Sequence, residues 1–405
     1  MKAKKIKTFI LAAAFTAMNT FTFSEVFFSG FAGIKTDLAS SKEDTFDPAL
    51  YMQSFFSGQF SLSENIMAHA EFSLATQNFT ENSFFDTTPS NFKIDELSIT
   101  FRRQLLDAAN YLSFFAGTYE PIGSDIFLRR QFGIQPIASK ITESWLGLSG
   151  SVIYPSFGVG GSDIVHFNAQ PLALGLYFYV NHELEGCYSL NTDLRFAGVY
   201  RFFTFDLSAG LGMPMKEKEN SNAFFEIDTL YWRAGMNVLV GNSYTTSLFI
   251  QAGISDIEFT RDSSELKLNE DAAYLLFEPR FRTKSAQIHL SVFSLPEDTV
   301  KDFIFINDTL GVNLNIFTDN LYVKNKMFIF GIHTALSFPE KNFSDAINHA
   351  DKLFTDDFNV TTAPYLATNF YNGEIHGMLQ ARITDIANGH YGKAFELNIG
   401  YKSQF

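Results

Sequence analysis

One cysteine, Cys187, stands in a chain of 405 residues, so no intrachain disulfide can form and no covalent staple holds the fold. It falls in a short stretch expected to be a loop, where it is incidental rather than reactive. Long apolar runs are missing too. Beyond Ser24 nothing approaches the roughly 20 uncharged residues that a membrane-crossing helix needs, which excludes a helical membrane protein. Signatures of catalysis are absent: there is no HExxH, GxSxG or CxxC, and the 8 histidines do not cluster. The glycine pairs at Gly158-Val159-Gly160 and Gly210-Leu211-Gly212 lack the strand-to-helix setting of a phosphate loop. The residues therefore imply no enzyme, no cofactor and no metal. Positive charge is short as well, with 30 Lys and Arg against 44 Asp and Glu and a net charge of −14, so nucleic acid is a poor partner.

What the chain has in abundance is aromatic β-formers, 47 Phe and 16 Tyr, distributed by alternation rather than in blocks. Such alternation also suits a soluble β-sandwich, but a chain of this length would need several sandwich domains, and no linker or composition shift marks a boundary. The reading is one domain over 25–405. Before it, Lys2, Lys4, Lys5 and Lys7 precede an apolar run from Phe9 to Met18, with small residues three and one before a cut after Ser24. This is the pattern of a secretory signal peptide over 1–24, too short to span a bilayer.

Strands follow one another along the mature chain. The first is expected over Glu25 to Lys35, the second over Met52 to Leu62, and the third over Ile66 to Leu74 after the turn Ser63-Glu64-Asn65. The clearest hairpin is Leu190 to Met213, where Leu190, Thr192, Leu194, Phe196, Gly198 and Tyr200 share a face, Arg201-Phe202 turns, and Phe203, Phe205, Leu207, Ala209, Leu211 and Met213 continue that face. Later pairs repeat it: Leu230–Leu239 with Tyr244–Ile254, Tyr274–Arg282 with Ala286–Phe293, Leu310–Thr318 with Tyr322–Ser337 across Asp319-Asn320, and Val360–Phe370 with Ile375–Ile383. Longer polar loops are expected at 37–48, 78–91, 120–142, 214–222, 257–270, 296–307, 338–359 and 384–391. The count is about 18 strands, within a range of roughly 14 to 18. Glycine-rich Pro155 to Pro171 is too long for a short turn in this register and holds either an extra strand at Ile164 to Phe167, an inward fold or a miscount of two strands.

The chain ends on a strand with Phe395, Leu397, Ile399, Tyr401, Ser403 and Phe405 on one face and Glu396, Asn398, Gly400, Lys402 and Gln404 on the other. Gly400, Tyr401 and the terminal Phe405 resemble the sorting signal of bacterial outer-membrane β-barrels, with Ser403 where a larger apolar residue is usual. With the leader and the alternation, the whole chain resembles a porin-like outer-membrane barrel, and its phenylalanine richness is similar to that of spirochaete outer-membrane proteins. The resemblance implies an all-β fold, a single transmembrane antiparallel barrel. Its implied partners are outer-membrane lipid, the barrel-assembly machinery and periplasmic chaperones, and small solutes, with the oligomer left open.

Strand parity puts Arg102, Asp193, Arg195, Asp206, Arg233, Glu278, Arg280, Arg282, His289, Arg382 and Glu396 on the polar face, where they would line a pore. Charge of both signs across a wet lumen favours polar or ionic solutes; the plainer role is to solvate the wall and pair. The loop Glu120 to Lys140, beginning Glu120-Pro121-Ile122-Gly123, is ordinarily a solvated surface loop. If it folds into the pore, Arg129 and Arg130 would make a positive constriction that selects anions. Acids gather in the outward loops, at Asp37, Glu43, Asp44 and Asp47 and at Asp345, Asp351, Asp356 and Asp357, without calcium-loop spacing. The expected function is passive diffusion of small polar or charged solutes across the outer membrane. Two alternatives stand: a closed barrel whose loops bind or adhere, and a long-chain lipid transporter, for which no N-terminal plug is in sight.

Overall fold

The computed structural model describes residues 27–405 apart from 41, 43, 81–89, 134–156, 183–185, 217–226, 228, 242–245, 261–266, 269–271, 297–307, 325, 340–341 and 349–357. The leader expected at 1–24 and the acids Glu43, Asp351, Asp356 and Asp357 lie outside the described residues, as does the side chain of Asp345.

Twenty strands follow in chain order: β1 (Phe27–Ser40), β2 (Pro48–Ser63), β3 (Ile66–Thr76), β4 (Ser90–Leu105), β5 (Ala108–Thr118), β6 (Phe157–Phe167), β7 (Leu172–Asn181), β8 (Ser189–Tyr200), β9 (Phe203–Pro214), β10 (Thr229–Val240), β11 (Ser247–Thr260), β12 (Lys267–Leu268), β13 (Ala273–Arg282), β14 (Ala286–Ser294), β15 (Leu310–Thr318), β16 (Leu321–Val323), β17 (Lys326–Phe338), β18 (Asn359–Phe370), β19 (Gly373–Arg382) and β20 (Phe395–Gln404). Among the described residues three short helices accompany them, α1 (Ile126–Phe132), α2 (Phe343–Asn348) and α3 (Ile383–Asn388). Each long strand pairs antiparallel with the next, and β20 pairs back onto β1, so 18 strands close a barrel. The two short strands are ribbon extensions, β12 against β11 and β16 against β17. Among the described residues no helix is long and apolar enough to cross a membrane.

The alternation read from the sequence is what closes this ring. At β8 and β9 the register pairs Tyr200 with Phe203 across the turn 201–202, and Leu194 with Ala209, which keeps every outward side chain on the outward face. The outer wall is a continuous apolar surface that includes Phe114, Phe178, Leu194, Trp232, Phe277, Phe330 and Leu379. A soluble monomer does not carry such a belt around its whole circumference, so this wall is a membrane face. The chain has the form of a transmembrane antiparallel β-barrel.

Three features differ from expectation, and one segment left open is decided. β1 runs on to Ser40, which moves Asp37 out of the first loop and onto the inward face, 3.5 Å from Lys35. Of 155–171 the described part, 157–171, forms β6 and the turn 168–171, which is the extra strand among the alternatives for this segment, and β6 pairs along its length with β5 and β7. The chain does not cross over at Asp319-Asn320; it continues into β16, which folds back on β17 as a small protruding ribbon. Last, the described start of the loop after β5 lies inside the barrel rather than on its surface. Phe127 and Leu128 of α1 are fully buried, in one apolar cluster with Phe115 of β5, Tyr177 of β7, Phe249 of β11 and Phe293 of β14. Burying two such side chains contributes roughly 3 to 6 kcal/mol toward holding α1 there.

Candidate functional site

The lumen gathers the charges that strand parity put on the inward face, mostly as ion pairs. Arg195 of β8 donates from Nε to Oδ1 of Asp206 on β9 at 2.8 Å. Asp193, two residues back, accepts from Arg233 Nε of β10 at 2.7 Å, and Arg233 also donates to the Tyr179 hydroxyl at 2.8 Å. Gly210 makes that pair possible, because a Cβ there would sit 1.9 Å from Oδ1 of Asp193. A few strands further round the wall Arg280 of β13 donates to Glu278 at 2.7 Å, Ser291 of β14 donates to the same carboxylate at 2.6 Å, and His289 Nδ1 lies 3.5 Å from it. Glu278 and Arg280 are buried.

The remaining expected residues sit nearer the rims. Arg282 bonds Asp319 at 2.9 Å at the short-turn end, and Arg102, close to the turn 106–107, stands 6.0 Å over the Tyr111 ring. Arg382 closes β19 at the other end, opposite Thr361, and Glu396 of β20 faces inward opposite Gln380 and accepts from Asn398 at 3.3 Å. At the seam, Phe405 exchanges backbone hydrogen bonds with Gly30 at 3.0 Å and stacks on Phe28 at 5.1 Å. Tyr401 pairs with Ile34 and Gly400 with Lys35.

The infolded segment, Tyr119 through Gly133, crosses this charged interior. The carbonyls of Glu120 and Ser124 each accept from the Arg195 guanidinium at 3.0 Å. Glu120 takes a left-handed φ of 46°, a conformation that a non-glycine residue adopts only where its surroundings enforce it. Its carboxylate accepts from the Tyr177 hydroxyl at 2.6 Å and lies 3.5 Å from Arg130. Burial pushes the Glu120 carboxyl above its ordinary range, against the pull of the Arg130 guanidinium and the Tyr177 hydroxyl. Burial, with the Glu120 charge, pushes the Tyr119 hydroxyl up to about 12.

Arg129 and Arg130 therefore lie inside the lumen, and both are paired. Arg129 bonds Asp125 at 2.8 Å; Arg130 bonds Glu96 of β4 at 2.8 Å and sits 5.0 Å over the Tyr119 ring. Three carboxylates, Glu96, Glu120 and Asp125, face these two arginines. Sequence reasoning missed Glu96 because Asp95 is an extra residue at a bulge between β3 and β4, which breaks the parity count just there. Two cavities flank the segment. One, of about 440 Å³, is bounded by Phe115, Tyr119, Tyr177, Tyr179, Asp193 and Arg195. The other, of about 560 Å³, lies against β2–β5 and is bounded by Gln59, His69, Ser98, Thr100, Arg130 and Gln131. Among the described residues no group of His, Cys, Asp and Glu is arranged to hold a metal ion.

No family model matches the chain, and no curated protein matches it. Solved structures do. The Escherichia coli outer-membrane protein Wzi, described as a carbohydrate-binding β-barrel involved in group 1 capsule assembly, aligns over 94% of this chain and 85% of its own at 12% identity, with a TM-score of 0.48. A mutant of the Rh. blastica porin aligns over 94% and 100% at 7% identity and a TM-score of 0.43. OmpF of Salmonella typhi, in complex with daunomycin, aligns over 94% and 97% at 9% identity and 0.40.

Proposed function

We propose that this chain is a narrow outer-membrane channel through which small polar solutes diffuse passively, its bore set by the segment Tyr119–Gly133. The observation that carries this reading is the pair of cavities on either side of that segment, lined by charged groups, hydroxyls and amides inside a wall whose outer surface is apolar. Solutes of a few heavy atoms fit such spaces and trade water for wall hydrogen bonds. The pairing of Arg129 and Arg130 with three carboxylates leaves the narrow part acidic on balance, which favours cations over the anions that two free arginines would attract. Reconstitution of the mature chain in planar bilayers tests both statements. Stepwise ohmic conductance with a reversal potential of cation-preferring sign is expected; silence from a folded, heat-modifiable protein refutes the channel, and anion preference refutes the charge balance.

A second reading has its own support. The apolar cluster around Phe127 and Leu128 is of the kind that seals an interior, and it favours a closed barrel that acts through its long loops. Silence in the same experiment is the result it expects.

A further inference from the structure

Among the described residues the outer wall carries one acid. Register pairing puts Asp163 of β6 in line with Leu112 of β5 and Leu176 of β7, both lipid-facing, while its neighbours Ser162 and Ile164 are buried on the inside. Around it Phe114, Val159 and Phe178 are more than half exposed on the same outer face. Asp163 lies four residues above Phe167, the end of β6 at the short turn. With a strand rise of about 3.3 Å and a tilt near 45°, that places it roughly 10 Å up an apolar band about 25 Å tall. Chain atoms offer it no hydrogen bond or ion pair among the described residues. A carboxylate so placed is costly in hydrocarbon and calls for a partner from outside the chain.

The same patch holds the complement. Arg103 of β4 is also outward and exposed, opposite Asn110 of β5, and Asn110 in turn pairs with Val165, the next outward position after Asp163. Among the described residues whose register faces them outward, the charged ones are Arg103, Asp163 and Lys326, and Lys326 opens β17 at the short-turn rim beside the Phe370 ring. Arg103, Asn110 and Asp163 thus form a polar island on three adjacent strands of an otherwise apolar wall.

We propose that the outer face of β4–β6 is where two copies of this chain meet in the membrane, with Asp163 of each copy paired to Arg103 of the other. Two barrels in the same orientation are related by a twofold axis along the membrane normal, and that operation sets β6 of one copy opposite β4 of the second. It makes two reciprocal carboxylate–guanidinium pairs, with Asn110 near the axis and Phe101, Leu112 and Phe114 packed around them. The lipid-excluded setting gives each pair more weight than a surface ion pair has. This dimer does not depend on whether the lumen conducts.

The test uses the full mature chain in lipid nanodiscs or mild detergent, with mass read by native mass spectrometry or sedimentation and folding checked by heat-modifiability. The wild type is expected to be dimeric. Asp163→Arg and Arg103→Asp should each fold and raise the dimer dissociation constant at least about tenfold, and the variant carrying both substitutions should regain the dimer. Asp163→Leu separates the alternatives further: it should weaken the dimer, whereas an acid facing only lipid would leave the mass unchanged and the barrel firmer. A monomeric wild type, single variants that dimerise as the wild type does, or a double reversal that fails to restore the dimer overturns the proposal.

Discussion

Arg195 is the side chain on which the position of α1 turns. Its guanidinium is buried, bonded to Asp206, and spends two further N–H groups on the carbonyls of Glu120 and Ser124. Replacing it by methionine keeps much of the volume and removes all of these bonds. Two hydrogen bonds from a charged donor are worth about 1.5 to 3 kcal/mol each, so the latch on the infolded segment is on the order of 3 to 6 kcal/mol. Stranding Asp206 as a buried unpaired charge adds a separate cost of about 3 to 5 kcal/mol that falls on the barrel itself. Pairing Arg195→Met with Asp206→Asn removes the second cost and isolates the first. The apolar docking of Phe127 and Leu128 and the bonds of Arg130 to Glu96 and of Tyr177 to Glu120 remain, so the released population should rise by about 10² to 10⁴-fold, the factor that the lost latch represents. Trypsin reads the release, because Arg129 and Arg130 are shielded while the segment is docked. The double variant should be cut there in its folded, heat-modifiable form and should show larger conductance steps. Unchanged trypsin resistance together with unchanged conductance would refute the reasoning.

Glu120 gives the segment a pH dependence. Its folded pKa is raised by burial above the ordinary carboxylate value of 4.5, so the docked state holds the proton more tightly than the released one; docking gains as pH falls through the folded pKa and loses that gain as pH rises back through it. Conductance should fall on acidification, with a midpoint above 4.5, and Glu120→Gln should remove the response; a midpoint shared by wild type and variant would assign it elsewhere. Gly210→Ala forces a Cβ into the Asp193–Arg233 pair, and overpacking of this kind costs about 1 to 3 kcal/mol, visible as a lower temperature for conversion to the unfolded band. Phe405→Ala removes the ring that stacks on Phe28 and Phe56 at the seam, so a smaller fraction of the chain should reach the heat-modifiable form, whereas Ser403→Ala, which leaves these three rings in place, should assemble as the wild type does.

The barrel was legible because its inside and outside differ at every second residue. Glu278, Arg280 and Arg282 against Phe277, Pro279 and Phe281 announce their faces, and the hairpin at Arg201-Phe202 falls where the register places it. β6 was legible only at its end, Ile164 to Phe167, and there as one of several alternatives, for a reason of the same physics run backwards. Its outward Asp163 and inward Ile164 invert the usual signs, and Gly158 and Gly160 carry no side chain because the Tyr179 ring and backbone of β7 lie against them, with a Cβ at Gly160 only 2.6 Å from the Cβ of Tyr179. Alternation cannot be read through such a strand. Helix α1 has seven residues, too few for a helical period to show, and what holds it is not local propensity but Arg195, 75 positions from Glu120 in sequence. Candidate lumen residues were legible one at a time from parity; their partners were not, since pairing across the barrel depends on register and on the bulge at Asp95.

Nitroxide scanning along β6 and β8, in a Cys187→Ser background and in lipid bilayers, tests the central claim most directly. Oxygen accessibility should alternate with a period of two along β8, high at Leu190, Leu194 and Phe196 and low at Asn191, Asp193 and Arg195. Along β6 a label at Val159 should report lipid and one at Ile164 a shielded interior. Uniform accessibility, or a period near 3.6, would contradict a single wall with hydrocarbon on one side and the lumen on the other.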